Sequence, residues 1–213
     1  MLGERLYRIL EITEDNNLKV ISTEKTEDSY VWDNRFNSEK DDYYGINIFS
    51  KSRLKENLEF LYENTDEKKG EIFFSNTEKE YIVEHDFCVG KRSQSDIGIN
   101  SESECKETMP LKVGIISLSE YYRTSIDTSC NSVNKQECNN YNFLFSIIPD
   151  RKTKMVTLTA NADNSYTFYR INYGELETRN AYTDNYLFPV IYLDKNILYK
   201  SGTGTLEDPY IVR

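Results

Sequence analysis

The stretch MVTLTANADNSYTFYRINYGELETRNAYTDNYLFPVIYL, residues 155 to 193, decides the fold class. Apolar and aromatic residues alternate with polar ones in four short segments: Met155–Thr159, Tyr166–Asn172, Glu175–Arg179 and Phe188–Leu193. Alternation with a period of two residues is typical of strands with one face in a core. Tyr173-Gly174 is a candidate tight turn between the second and third segments. This part of the chain is therefore predicted to form antiparallel sheets.

The first third of the chain predicts a β-hairpin followed by a helix. Strand patterns in Arg5–Ile12 and Leu18–Ser22 flank Asp15-Asn16-Asn17, and these three residues favour a turn. Farther along, apolar residues recur at helical spacing with charged residues between them. The leucines on this predicted helix face are Leu54, Leu58 and Leu61. We expect that face to lie in the core.

The middle of the chain is polar and irregular, with two better-defined elements. Lys112–Ile116 (KVGII) is predicted to be a buried strand, and Glu71–Phe74 is a weaker strand candidate. Ser117 and Glu120 then mark the start of a short helix, because a hydroxyl residue caps a helix and an acid favours its first turn. No change of composition marks a linker, so residues 1–213 are interpreted as a single domain.

Charge and composition narrow the classes of partner. Lys and Arg total 26 against 36 Asp and Glu, which gives a formal net charge of −10. A surface of this sign repels phosphate backbones and anionic lipids, so we predict no nucleic-acid partner. No segment approaches the roughly 20 apolar residues of a membrane span. The 17 tyrosines favour strands with half-exposed faces but are also common in binding surfaces, and both interpretations stay open.

Four cysteines bracket two polar loops, one from Cys88 to Cys105 and one from Cys130 to Cys138. Short Ser- and Asn-rich excursions are the kind of loop that a local disulfide stabilises, so two local bridges are predicted. Free thiols and a metal site are the alternatives, although His85 is the only histidine and zinc sites favour closely spaced cysteine pairs. Two disulfides would place the domain outside the cytoplasm.

The sequence offers little that is typical of catalysis. It lacks a nucleophile elbow, a phosphate loop, a dinucleotide motif and a zinc-protease motif, and His85 is interpreted as an exposed loop residue. We therefore predict no catalytic residues and no cofactor. Calcium remains possible at the oxygen-rich turns Asp15–Asn17 and Asn161–Asn164, although such turns are common between strands. Gly202–Thr205 is interpreted as a turn rather than a phosphate site.

Five features follow one another in fixed order between residue 112 and the C-terminus. They are KVGIISLSEYYRTS at Lys112–Ser125, the cysteine-bracketed loop Cys130–Cys138, VTLTA at Val156–Ala160, LFPVIYL at Leu187–Leu193, and GTGTLEDPYIV at Gly202–Val212. The series resembles a family of cell-surface proteins from Firmicutes and related gut bacteria. Its members carry V-G-L-[LI]-[ST]-x-S-E-Y, W-T-[LI]-[ST]-P and V-R-P-V-[IV]-[YS]-L at the corresponding places. Here Val156, Ala160 and Phe188 replace the usual Trp, Pro and Arg.

The resemblance implies an α+β, C-type-lectin-like fold, which formylglycine-generating-enzyme-like domains also use. That fold has two small antiparallel sheets, two helices and long loops, here bracketed by the cysteines. Many members carry a prepilin-like segment or another membrane anchor. The N-terminal MLGERLYRIL lacks the apolar run of a signal peptide, so we expect any export signal or anchor to belong to a longer precursor. The implied location is extracellular, at the cell surface.

The function that the resemblance implies is a non-enzymatic binding or adhesion domain of a bacterial surface protein or minor pilin. Its partner would be a host-surface protein or glycan. The alternative is a purely structural pilin or pseudopilin subunit that contacts neighbouring pilus subunits. A divergent formylglycine-generating-type enzyme is the third hypothesis, and it would need reactive cysteine thiols.

The candidate ligand contacts lie in the Tyr- and Asn-rich segment Asn161–Tyr186. Side chains along a strand alternate between its two faces, so one row is predicted to face the core and the other a ligand. The candidates are Tyr166, Tyr169, Arg170, Tyr173, Arg179 and Tyr182. An exposed sheet with tyrosines on its solvent side, and no ligand, is the alternative.

Overall fold

The fold is described for residues 2–3, 5–130, 138, 141–147 and 153–212 of a computed structural model. Its helices are α1, Arg53–Glu63; α2, Asn76–Lys79; and α3, Leu118–Arg123. Its strands are β1, Tyr7–Ile12; β2, Leu18–Ser22; β3, Tyr30–Val31; β4, Ile82–Val83; β5, His85–Cys88; β6, Lys91–Arg92; β7, Thr108–Leu111; β8, Lys154–Asn161; β9, Thr167–Asn172; β10, Glu175–Asn180; β11, Asp184–Asn185; β12, Val190–Leu193; β13, Tyr199–Ser201; and β14, Ile211–Val212. Within these residues, no helix has the length and apolar character of a membrane span.

Two four-stranded sheets form the framework of a mixed, mostly antiparallel α+β fold. The first has the order β1-β2-β12-β4 and is antiparallel throughout. The second has the order β10-β9-β8-β6, and only β6 runs parallel to its neighbour. Three two-stranded ribbons, β3–β11, β5–β7 and β13–β14, complete the set. The central strands β2, β12, β8 and β9 are almost entirely buried, so the core lies against these two sheets.

The N-terminal hairpin, the leucine face of α1, the start of α3 and the β9–β10 turn are confirmed. Strands β1 and β2 form the N-terminal hairpin, and the three leucines of α1 are buried. Ser117 and Glu120 form a reciprocal capping box at the start of α3. Tyr173 and Gly174 both have positive φ, 51° and 78°, in the two-residue turn between β9 and β10. Positive φ at both central positions matches the twist of the flanking strands.

The prediction of a strand at Lys112–Ile116 is wrong, although the apolar side chains of this segment are buried. Gly114 makes an isolated bridge to Val190 of the first sheet, whereas the Ile116 carbonyl accepts a hydrogen bond from Leu158 of the second. The segment therefore crosses from one sheet to the other and cannot continue in either ladder. The regular strand lies just before it, at β7. Glu71–Phe74 is not a strand either, although its two phenylalanines are buried.

Trp32 is a buried aromatic anchor between the second sheet and the start of α1. Its ring stacks on Phe168 of β9 with a centroid distance of 5.2 Å and meets Phe49 edge-on. On the opposite face of β9, the Tyr169 hydroxyl donates to the Arg92 carbonyl of β6 over 3.3 Å. Both faces of β9 are thus covered, which corrects the prediction that one of its rows faces a ligand.

Both predicted disulfides are formed, Cys88–Cys105 and Cys130–Cys138, and no described cysteine is free. Next to the first bridge, Glu104 is completely buried. Its carboxylate accepts hydrogen bonds from the Thr159 hydroxyl of β8, over 2.6 Å, and from Ser119 of α3. The disulfide closes this loop while Glu104 attaches it to the second sheet, so the cysteines serve the scaffold.

Candidate functional site

Two of the six candidate ligand residues are buried. Tyr169 is 1% exposed and Arg170 is 3% exposed. The Arg170 guanidinium donates to the Glu177 carboxylate over 3.0 and 3.1 Å and to the Asn185 side chain over 3.0 Å. These bonds satisfy the charge inside the fold. Neither residue can contribute directly to a solvent-facing surface, and both are reassigned to the core.

Two further candidates, Tyr173 and Arg179, each contact a residue that is not among the six. Tyr173 sits in the β9–β10 turn, where its ring meets Phe145 at a centroid distance of 5.4 Å. It is separated from Tyr166 by the length of β9, roughly 20 Å. Arg179 is exposed, but its guanidinium lies 3.0 Å from the Glu177 carboxylate. The sequence therefore placed these residues on the correct hairpin without placing them in one site.

The remaining two candidates, Tyr166 and Tyr182, are brought together by a third residue, Tyr44. The Tyr44 ring lies 5.8 Å from the ring of Tyr166 and 5.5 Å from that of Tyr182, and both contacts are edge-to-face. Edge-to-face packing places the positive rim of one ring on the negative face of the next. We call Tyr44, Tyr166 and Tyr182 the tyrosine cluster. Tyr182 is its most exposed member, at 44%.

Tyr44 belongs to a small hairpin, residues 35–45, which we call the aromatic hairpin. Asn37 N–H donates to the Asp42 carbonyl over 2.8 Å, and Gly45 N–H donates to the Arg35 carbonyl over 3.0 Å. Phe36 and Tyr43 face each other across it with a centroid distance of 5.7 Å. They are 47% and 69% exposed, so the hairpin presents an aromatic pair to solvent.

Buried polar side chains hold the aromatic hairpin at its base. The Asp33 carboxylate is almost fully buried and accepts hydrogen bonds from Ile46 N–H, over 2.9 Å, and from the Arg35 side chain, over 2.7 Å. The buried Asn37 amide donates to the Gly45 carbonyl over 2.7 Å. The bonds to Ile46 N–H and to the Gly45 carbonyl fix backbone at the foot of the hairpin, so the exposed rings project from an ordered support.

Asn47 connects the aromatic hairpin to the Asn161–Asn164 turn. Its buried side-chain amide donates to the carbonyls of Asn161, Asn164 and Thr167 over 2.6 to 2.9 Å, and its carbonyl accepts from Lys91 over 2.6 Å. Three converging carbonyls are the kind of ligands that calcium prefers, but here they face an amide and a nearby ammonium. In the part of the chain that the structure describes, no group of three His, Cys, Asp or Glu side chains could hold a metal ion.

The surface formed by the aromatic hairpin and the tyrosine cluster carries mostly negative charge. Glu39, Asp41, Asp42 and Asp184 are exposed on the aromatic hairpin or beside Tyr182. The Lys40 ammonium lies over the Tyr166 ring, 4.2 Å from its centroid. This distance is typical of a cation–π contact. The surface therefore combines tyrosine faces, carboxylates and one ammonium supplied by the chain itself.

A second concave feature is an apolar groove of about 670 Å³ between the β1–β2 hairpin and the β13–β14 ribbon. Ile9 and Leu18 line it from the first hairpin, and Tyr199, Leu206 and Tyr210 from the C-terminal region. The groove contains none of the predicted site residues. The Gly202–Thr205 segment beside it forms the predicted turn, with positive φ at Gly202 and Gly204.

His85 is part of β5 rather than an exposed loop, which corrects the prediction. Its ring stacks on Tyr192 at a centroid distance of 4.0 Å. Behind Tyr192, the buried Lys19 ammonium pairs with the Glu120 carboxylate. Burial is the largest single influence and raises the pKa of Glu120. The Lys19 charge, the hydrogen bonds from Lys19 and Ser117 N–H, and the Arg123 charge together lower it by more, so the pKa lies below the usual value. This buried pair binds the first sheet to α3.

Sequence reasoning missed the aromatic hairpin, although Asp41-Asp42-Tyr43-Tyr44-Gly45 carries a signal. Adjacent acids and tyrosines followed by glycine are typical of an exposed turn, and Gly45 has the positive φ, 73°, that glycine permits. Tyr44 contacts Tyr166 and Tyr182 only in the folded chain, so the local sequence pattern does not predict this contact.

No protein-family model, curated protein or solved structure significantly matches this chain.

Proposed function

We propose that this protein is a non-enzymatic, extracellular binding or adhesion domain of a bacterial surface protein, and that it binds through the aromatic hairpin and the tyrosine cluster. The expected partner is a molecule on a host surface. The finer fold assignment, a C-type-lectin-like domain, belongs to this proposal. It is supported by two small sheets, few helices and long loops closed by disulfides.

The observation that carries the proposal is the exposure of Phe36 and Tyr43 on a rigidly supported hairpin. Apolar groups grouped together on a surface mark an interaction site more often than singly exposed ones do. Tyrosine binds well at low entropic cost, because its large ring has only two rotatable bonds. Asp33 and Asn37 order the loop before binding, which reduces the cost of association.

Adhesion of beads coated with the purified domain to cultured epithelial cells tests the proposal. Tyr43→Ser and Tyr182→Ser remove exposed rings, and we expect each to reduce adhesion strongly without lowering the melting temperature. Tyr141→Ser is the matched control, because Tyr141 is 46% exposed and lies in another segment. Equal adhesion of all three variants would contradict the proposed surface.

A second candidate function, a structural pilus subunit, is favoured by the apolar groove. Ile9, Leu206 and Tyr210 are exposed around it, and a neighbouring subunit could bury them. In that case Leu206→Asp would prevent assembly while leaving bead adhesion unchanged. Assembly by the Leu206→Asp variant, measured as filaments or sedimenting oligomers, would remove the support for this candidate.

A further inference from the structure

We propose that the partner presents a cationic segment, with lysine or arginine side chains that bind on the tyrosine cluster in the position that Lys40 now occupies. This inference rests on the proposed function and names the ligand class of the same surface. It commits to a basic segment of a protein. A neutral glycan is an outcome of the test that would overturn it.

The position of Lys40 is the first support. Its ammonium lies 4.2 Å from the centroid of Tyr166, and Tyr44 meets that same ring edge-on. The surface thus already binds one ammonium through a cation–π contact, which is worth more when the cation is partly desolvated. Because Lys40 belongs to the aromatic hairpin, it acts as an intramolecular competitor for the ring face.

The charge around the rings is the second support. Glu39, Asp41, Asp42 and Asp184 are exposed near the rings, on a chain whose formal net charge is −10. Carboxylates beside aromatic faces attract a cation at long range and hold it at short range, whereas an anionic glycan or nucleic acid is repelled. The Glu39 carboxylate already accepts a hydrogen bond from the Ser165 hydroxyl, which fixes the acidic side of the hairpin against Tyr166.

The neighbouring arginines do not reverse this charge. Arg35 donates to the buried Asp33 carboxylate over 2.7 Å and also lies 3.8 Å from Glu56. Arg179 lies 3.0 Å from Glu177. Glu177 is shared with the buried Arg170, which leaves one guanidinium charge in excess. Four exposed carboxylates still outnumber this charge and Lys40, and Lys40 is the cation that lies on the Tyr166 ring and that a ligand would displace.

The test measures binding of a fluorescein-labelled oligolysine peptide by anisotropy, with oligoglutamine and oligoglutamate peptides of equal length as comparisons. Lys40→Gln frees the Tyr166 face, so we expect it to tighten oligolysine binding about two- to fivefold. Lys68→Gln is the matched control, because it removes the same charge from an exposed position in another loop, and we expect a smaller change. In a Tyr166→Leu background, Lys40→Gln should tighten binding no more than Lys68→Gln does.

Three peptide-binding results would overturn the inference. They are weaker binding by Lys40→Gln, equal effects of Lys40→Gln and Lys68→Gln, and oligolysine binding no tighter than oligoglutamine binding. Saturable binding of a neutral oligosaccharide that Tyr182→Ser abolishes would also overturn it. If cell adhesion still requires Tyr43 and Tyr182 in any of these cases, the proposed function stands and only the ligand class is wrong. If adhesion does not require these tyrosines, the proposed function fails as well.

Discussion

Replacing Gly45 by alanine is expected to dislodge the aromatic hairpin. A Cβ at this position would lie 2.0 Å from the Asp33 carbonyl oxygen and 2.9 Å from the Ala181 Cβ. The first of these atoms is backbone, so relief requires the hairpin to move. Alanine at a φ of 73° costs about 1–2 kcal/mol, and overpacking adds about 1–3 kcal/mol. The expected loss of unfolding free energy is about 2–5 kcal/mol.

Calorimetry and native-state hydrogen exchange measure this prediction. For a chain of this length the loss corresponds to a fall in melting temperature of roughly 4–20 °C. If the hairpin detaches locally, the fall is smaller, but residues 35–45 lose their exchange protection and adhesion disappears. Gly3→Ala is the control, since Gly3 has a similar φ of 58° but its Cβ would meet only side-chain atoms of Glu78, at 3.2 Å, and no backbone atom. Equal stability and equal protection in the two variants would refute the reasoning.

Three further predictions concern the scaffold. Non-reducing peptide mapping should find the Cys88–Cys105 link, and replacing both cysteines by serine should lower the unfolding free energy by about 3 kcal/mol in urea titrations. The lowered pKa of Glu120 means that its pairing with Lys19 stabilises the fold above about pH 4.3 and is lost as the pH falls through the lowered value. Glu120→Gln should therefore flatten the acid limb of the stability curve, and an unchanged limb would contradict this. Arg170→Met should lower the unfolding free energy by about 3 kcal/mol and leave adhesion unchanged, because the Arg170 side chain is buried and structural. Loss of adhesion without loss of stability would restore the predicted role of Arg170 in ligand binding.

The elements that sequence reasoning predicted correctly depend on neighbouring residues. The capping box needs only Ser117 and Glu120, and the β9–β10 turn needs only Tyr173 and Gly174. The leucine stripe of α1 likewise follows from helical spacing. Such features depend on residues only a few positions apart, so a single sequence is enough to find them.

The features that it missed depend on residues far apart in the chain. The alternation of β9 suggested that one of its two rows faces a ligand, with Arg170 among the candidates, but Glu177 and Asn185 satisfy the charge of Arg170 inside the fold. The apolar run at Lys112–Ile116 suggested a strand, but its partners lie in two different sheets. For the same reason the sequence identified Tyr166 and Tyr182 without Tyr44, which joins them from the other end of the chain.

Tyrosine footprinting of the domain while it is bound to cells tests the central claim most directly. Nitration followed by mass spectrometry compares the labelling of each tyrosine in the free and bound states. We expect Tyr43 and Tyr182 to become protected on binding while Tyr141 and Tyr199 stay labelled. Protection of Tyr199 with continued labelling of Tyr43 and Tyr182 would contradict it and would move the binding surface to the apolar groove.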